Sequence, residues 1–115
     1  MHESGPVKKL MEQVLAEASK HNASRITEVK VKLGAGSEMS PESLRLHFEH
    51  AAENTIAEGA NLIIEQVPIR YRCEACGETT ESWERLVFCP KCDQPKLRAE
   101  SGEEILLEAV ELQQA

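Results

Sequence analysis

Four cysteines, arranged in two pairs, are the feature that most constrains how this 115-residue chain can fold. Two residues separate the cysteines within each pair, Cys73-Glu-Ala-Cys76 and Cys89-Pro-Lys-Cys92, and twelve separate the pairs. This spacing lets both sulfurs of a pair turn onto one ion, and four thiolates suit tetrahedral zinc. A closed set of four cysteines leaves no position for water or substrate. We therefore predict a structural zinc site.

Other uses of the four cysteines stay open at this stage. Iron fits four sulfurs as well as zinc does, and metal analysis separates the two. A redox dithiol is a further alternative. No secretory signal is visible in the sequence, so we expect a cytoplasmic location, where cysteines bind metal more often than they form disulfides. Gly77 follows the first pair and can adopt the positive φ that such a turn often needs, whereas Asp93, after the second pair, tolerates this region less easily. Trp83 and Phe88 are expected to form a small apolar cap over the metal.

Hydrophobic periodicity predicts an α/β fold around this module. Apolar residues at helical spacing indicate a helix over 5–20, and alternation indicates a strand over 26–33. Ser40-Pro41-Glu42 opens a second helix that we expect to end at Gly59. Strands are predicted over 62–69 and 105–112. The fold class is thus a small three-stranded sheet with two helices, plus an inserted four-cysteine zinc-ribbon-like module. We place the zinc-binding domain at 72–98 and the α/β domain at 1–71 and 99–115.

The net charge argues against several functions. Thirteen Lys and Arg against twenty Asp and Glu give −7, which disfavours binding to nucleic acid or to an anionic membrane. Residues 72–98 are neutral, and four thiolates with one Zn²⁺ bring them to −2, which argues against a nucleic-acid zinc ribbon. The apolar runs are far too short to cross a bilayer.

The first three residues, Met1-His2-Glu3, form a second candidate metal site. Histidine at position 2 is too bulky for the usual removal of the initiator methionine, so we expect Met1 to remain. The terminal amine, the His2 amide, the His2 ring Nδ1 and the Glu3 amide can offer four nitrogens in or near one plane. Such coordination suits Ni(II) or Cu(II). A chance histidine on a solvated terminus is the alternative.

Other polar groups give weaker indications of function. His47 and His50 stand three residues apart on the second helix and could chelate a metal, although a solvated helix face is the simpler interpretation. His21 lies near the end of the first helix. A set of acidic residues after the module indicates a solvated face: Glu100, Glu103, Glu104, Glu108 and Glu111. Since no catalytic triad or phosphate-binding loop is visible, we expect no enzyme activity.

Several motifs together resemble a known family. They are Met1-His2-Glu3, Val29-Lys-Val31-Lys-Leu33-Gly34, Pro41-Glu42-Ser43-Leu44, Ala57-Glu58-Gly59-Ala60-Asn61-Leu62 and the two cysteine pairs. In this order they resemble the HypA/HybF family of nickel metallochaperones for [NiFe]-hydrogenase maturation. Two departures are visible. Ser4-Gly5-Pro6 replaces a more apolar stretch, which bears on the geometry of a nickel site, and Asp93 stands where glycine is usual.

The resemblance implies a nickel metallochaperone with two metals, structural zinc and nickel as its cargo. It assigns nickel to Met1, His2 and Glu3, and zinc to Cys73, Cys76, Cys89 and Cys92. The implied partners are the GTPase HypB and the hydrogenase large-subunit precursor, and some members also serve urease maturation. We expect a monomer or weak homodimer. The alternative function is a zinc-stiffened protein–protein adaptor without a nickel site of its own.

Overall fold

The computed structural model describes residues 5–114, which form two helices and six strands. In chain order these are α1 (Gly5–Lys20), β1 (Ala23–Gly34), α2 (Pro41–Ala52), β2 (Asn61–Val67), β3 (Ile69–Cys73), β4 (Thr79–Ser82), β5 (Leu97–Ser101) and β6 (Ile105–Gln114), with a 3₁₀ turn at Ala35–Ser37 after β1. The predicted fold class is confirmed: one three-stranded sheet with two helices, and a separate module that carries the cysteines.

Local sequence explains where the helices begin. In α1, Pro6 occupies the first turn, where its missing N–H costs nothing. In α2, the Ser40 hydroxyl accepts a hydrogen bond from the Ser43 amide at 3.1 Å, with Pro41 next to it. Each helix turns one apolar stripe inward, and these stripes supply much of the core: Val7, Leu10, Met11, Val14 and Ala18 from α1, and Leu44, Phe48 and Ala52 from α2.

The first sheet has the order β2-β1-β6, with β1 in the centre. Strand β2 runs parallel to β1, since α2 provides the crossover that a parallel pair requires, and β6 runs antiparallel. Val29 lies between Leu62 and Val110, so one residue of β1 contacts both neighbouring strands. The register between β1 and β6 shifts between Ile26 and Glu28, where the ladder is irregular.

The second sheet has the order β4-β3-β5 and is antiparallel. The sequence did not predict these strands. Its buried apolar residues, Ile69 and Tyr71, lie outside the core cluster of the first sheet. The division into a nickel-binding α/β domain of 1–71 with 99–115 and a zinc-binding domain of 72–98 stays a prediction; its boundaries fall within β3 and β5.

Two predicted elements have different bounds. The expected strand 62–69 is divided between two strands, because Pro68 lacks an amide hydrogen. Strand β2 ends before Pro68 and β3 begins after it. Helix α2 ends at Ala52, not at Gly59, because Glu53 leaves the helical region with a ψ of 133°. Asn54 follows with a φ of 65°, and the Thr55 hydroxyl donates to the Ala52 carbonyl at 2.7 Å. Turns fill the interval before β2.

Two glycines allow the connections between the sheets to cross at close range. A Cβ on Gly34 would lie 2.2 Å from the Gly102 carbonyl oxygen, and one on Gly102 would lie 2.2 Å from the Pro68 carbonyl oxygen. The Gly36 amide also donates to the Gly102 carbonyl at 2.9 Å. At this junction between the two sheets, backbone atoms therefore pack directly against backbone atoms. Among residues 5–114, no helix is long and apolar enough to cross a membrane.

Candidate metal centre

The two cysteine pairs form two turns of the same design. In the first, the Cys73 carbonyl accepts from the Gly77 amide at 2.8 Å; in the second, the Cys89 carbonyl accepts from the Asp93 amide at 2.8 Å. Gly77 has a φ of 79°, in the region that the sequence indicated for it, and Asp93 has a φ of 66°. Asp93 adopts the left-handed conformation at a higher cost than glycine does.

These turns bring all four sulfurs together. The ligand atoms of Cys73, Cys76, Cys89 and Cys92 all lie within 4.8 Å of one another. The Cys73 and Cys92 sulfurs are 3.6 Å apart, and the Cys76 and Cys89 sulfurs are 3.8 Å apart. A tetrahedron with metal–sulfur bonds near 2.3 Å has edges of about 3.8 Å. The donor set and its spacing therefore fit a tetrahedral metal ion such as zinc.

Amide hydrogens point at the sulfurs from within each turn. The Ala75 amide donates to the Cys73 sulfur at 3.4 Å, and the Lys91 amide donates to the Cys89 sulfur at 3.3 Å. The first sulfur of each pair belongs to a buried residue, whereas Cys76 is exposed and Cys92 half-buried. The site thus has a buried side and a side that faces solvent.

The thiols affect each other's ionisation. The Cys76 backbone amide is the main cause that lowers the pKa of Cys73 to about 7. For Cys92, the Gln94 amide acts in the same direction, but burial and the other three thiols outweigh it and raise the pKa to about 12. Four thiolates therefore accumulate at this site only with a compensating cation, which a divalent metal supplies.

The expected apolar cap over the metal does not form as a buried cluster. Trp83 is 62% exposed and Phe88 is 56% exposed, and Val87 beside them is 68% exposed. The segment that carries them is nevertheless anchored, because the Leu86 amide donates to the hydroxyl of buried Tyr71 at 3.0 Å.

The predicted nickel ligands Met1, His2 and Glu3 lie outside the described residues. The structure begins at Gly5, in the first turn of α1, beside a groove of about 540 Å³. Glu103 and Glu104, which follow the module, line the same groove. This proximity is not visible in the sequence, since nearly the whole chain separates the two segments.

Arg85 connects the module to the first sheet, and no sequence pattern indicated this role. Its guanidinium donates to the Gly36 carbonyl, lies 3.4 Å from a Glu38 carboxylate oxygen and 3.2 Å from a Glu103 carboxylate oxygen. One side chain thus holds two loops at the junction. Its exposure limits the strength of the ion pairs.

The remaining candidates belong to the surface. His47 is half-buried, His50 is exposed, and His21 lies 3.3 Å from Glu17. Within residues 5–114, the four cysteines are the only group of three or more potential ligands close enough to share an ion. The acidic set is mostly paired with basic residues: Glu100 with Arg70 and Arg72, Glu103 with Arg85, and Glu108 with Lys32.

Comparison with known proteins gives one consistent result. Residues 1–112 match a family described as hydrogenase/urease nickel incorporation, metallochaperone, HypA. A hydrogenase maturation factor HypA from Shewanella halifaxensis is 38% identical over 115 residues, covering all of both chains. One from Desulfitobacterium hafniense is 32% identical, covering 99% of this chain and 100% of the relative.

Solved structures agree with these sequence relatives. The solution structure of the Ni metallochaperone HypA from Helicobacter pylori superposes with a TM-score of 0.77 at 25% identity, covering all of both chains. A second HypA solution structure gives a TM-score of 0.72 at 26% identity, covering 97% of this chain and 96% of the other.

Proposed function

The chain belongs to the HypA family of hydrogenase and urease nickel-incorporation metallochaperones, and we propose that it binds Ni(II) at its amino terminus and delivers it during assembly of the [NiFe]-hydrogenase active site. In this proposal a structural zinc ion holds the four-cysteine module. The observation that carries the proposal is the family match over residues 1–112, which includes Met1, His2 and Glu3.

The chemistry of the first three residues supports the nickel site. The Met1 amine, the His2 amide, the His2 ring and the Glu3 amide bind Ni(II), and four nitrogens suit a planar or tetragonal ion. Such a site uses mostly backbone atoms and lies at a chain end, so nickel leaves by stepwise ligand exchange. Protons compete for the imidazole and the amine, so nickel affinity falls in mildly acidic solution.

The geometry of the sulfurs supports zinc as the resident metal. The sulfur–sulfur distances of 3.6 and 3.8 Å fit a closed tetrahedral shell. With all four positions filled by cysteine, the ion has no open position for substrate, so its role is structural. The module then presents a fixed surface to partner proteins.

Family membership supports a proposal about the partners. We propose that the chain binds the GTPase HypB and the hydrogenase large-subunit precursor. We also propose that it serves urease maturation. The sequence contains no phosphate-binding loop, so the partner hydrolyses the GTP. The zinc module and the acidic surface of the α/β part are the proposed docking surfaces, and a cytoplasmic monomer or weak homodimer is the proposed state.

Nickel titration of zinc-loaded protein with a free, untagged amino terminus tests the nickel site. We expect about one Ni(II) per chain with a planar absorption band, and loss of both in His2→Ala. His47→Ala is the matched control, since His47 lies on α2 and should leave binding unchanged. Equal nickel binding by wild type and His2→Ala would instead favour the zinc-stiffened adaptor.

Metal analysis tests the zinc assignment. We expect one zinc per chain in protein purified without added metal, and loss of zinc in Cys89→Ser, because Cys89 is one of the two buried sulfur donors. Finding iron instead of zinc would overturn the zinc assignment and would leave the nickel proposal intact.

A further inference from the structure

The outer edge of the first sheet is open along β6. This strand is ten residues long and, within residues 5–114, pairs only with β1. The stretch Ala109–Glu111 lies between two register shifts and is itself regular. Its backbone groups that point away from β1 have no strand to bond with among the described residues. Such an edge is a template for an added strand.

A groove of about 620 Å³ runs beside this edge, between β6 and the end of α1. Its apolar wall consists of Leu107, Val110 and Leu112, which are half-buried because the sheet ends at β6. Glu17 and His21 form the opposite rim and lie 3.3 Å apart. All the residues that line the groove belong to the described part of the chain. A side chain from an added strand would complete the burial of the apolar wall.

The other face of the same edge carries two like charges. Glu111 lies directly opposite Glu28 of β1, and both residues are exposed. Among residues 5–114 neither carboxylate takes part in an ion pair, although Lys30 lies only two residues along β1 from Glu28. Like charges directly opposite each other destabilise a sheet. A cation supplied from the open side of β6 would relieve this repulsion.

We propose that β6 binds an extended segment of a partner protein as a fourth strand, and that this segment alternates apolar and basic residues. An apolar side chain opposite Val110 faces the groove, and the basic residues next to it face Glu111, because successive side chains of a strand point to opposite faces. Main-chain hydrogen bonds supply affinity, and the alternation supplies selectivity. The inference deepens the proposed binding of partners by the acidic α/β surface, and rests on that part of the proposed function.

A second copy of this chain fits the edge less well than a basic segment does. Strand β6 contains Glu108 and Glu111 and no basic residue, so two copies of β6 side by side would bring carboxylates together. Each chain also carries a net charge of −7. The charges at this edge therefore favour a basic segment over a copy of the same strand.

Peptide binding to zinc-loaded, full-length protein tests the edge. The probe is a capped seven-residue peptide in which Lys and Val alternate, and the control peptide has the same composition with its three Val residues together. We expect the alternating peptide to bind more tightly, and Glu111→Lys to lower its affinity about 5- to 20-fold, because an attraction becomes a repulsion. Glu65→Lys is the matched control and should leave the affinity nearly unchanged, since exposed Glu65 lies on the same face of β2, the opposite edge strand.

Amide hydrogen exchange shows where the peptide lies. In the free protein, the amides of Leu107–Leu112 that point away from β1 should exchange quickly, and the alternating peptide should slow them as a new ladder forms. Equal binding of the two peptides, equal loss of affinity in the two variants, or protection confined to β2 or to the cysteine module would overturn the proposal. So would a dimer of the chain that protects the same amides without peptide.

Nickel binding is measured on the same variants, so that the two proposals fail separately. Glu111→Lys should bind nickel as wild type does, because Glu111 lies on the face of the sheet away from α1. If the alternating peptide fails to bind while His2→Ala loses nickel, the role of the strand edge is wrong and the nickel site stands. If the peptide binds at β6 while His2→Ala keeps nickel, the nickel site is wrong and the strand edge stands.

Discussion

Removing the metal should unfold the cysteine module and leave the first sheet and its helices intact. The module and the second sheet have few other sources of stability: Ile69 and Tyr71 of β3 are their buried apolar residues besides two cysteines. Burying one side chain such as Ile69 is worth about 1.5–3 kcal/mol. Zinc binding by a small four-ligand module is worth about 10–16 kcal/mol, so the metal dominates.

The assay is amide hydrogen exchange followed by NMR, with and without a strong chelator. The informative amides are those of Gly77 and Asp93, which donate within the two turns at 2.8 Å. After chelation we expect their protection to fall at least about a thousandfold, toward that of an unfolded chain. Amides of α1 and β1 should keep theirs, because they belong to a separate core.

Two variants make the test specific to the sulfurs. Cys76→Ser removes one thiolate and should reproduce the loss of protection without chelator. Glu74→Gln changes a residue in the same turn but keeps all four sulfurs; it loses an exposed ion pair with Arg98, which is worth little. Protection that persists at Gly77 and Asp93 after verified removal of the metal would refute the argument.

Two further predictions concern the junction and the second sheet. Gly34→Ala should destabilise the protein by about 1–3 kcal/mol in urea unfolding, because its Cβ would lie 2.2 Å from the Gly102 carbonyl oxygen; Gly5→Ala, with nothing within 4 Å, should not destabilise it, and equal effects would contradict this. Hydrogen bonding from Arg72 lowers the pKa of Glu100 below 4.5, so Glu100 stabilises the fold fully above that pH and less as pH falls through the lowered pKa. The difference in unfolding free energy between wild type and Glu100→Gln should therefore shrink in acid, and a pH-independent difference would contradict it.

Sequence patterns located most of the first sheet and both helices. The alternation of Val29, Val31 and Leu33 marked β1, and Ser40 with Pro41 marked the start of α2. These features work because a strand repeats every two residues, and because helix ends need specific side chains. The end of α2 was missed, since the αL conformation of Asn54 is one option among several that its sequence allows.

The second sheet was missed for a different reason. Strands β4 and β5 are four and five residues long, and their outward residues are charged or polar. Such strands gain stability mainly from pairing with β3, which holds them beside the metal site. Their sequences contain no periodic apolar pattern that would predict a strand.

The sequence by itself identified the four cysteines as one ligand set, Met1, His2 and Glu3 as candidate nickel residues, and the resemblance to the family. Each of these depends on residues that are close together in the chain or on the order of motifs along it. Only the tertiary structure placed Glu104 beside the start of α1 and Arg85 against Gly36. Each of these placements joins segments about 50 to 100 residues apart, and the pairing of β6 with β1 sets the position of Glu104. Local spacing carries no information about such long-range contacts.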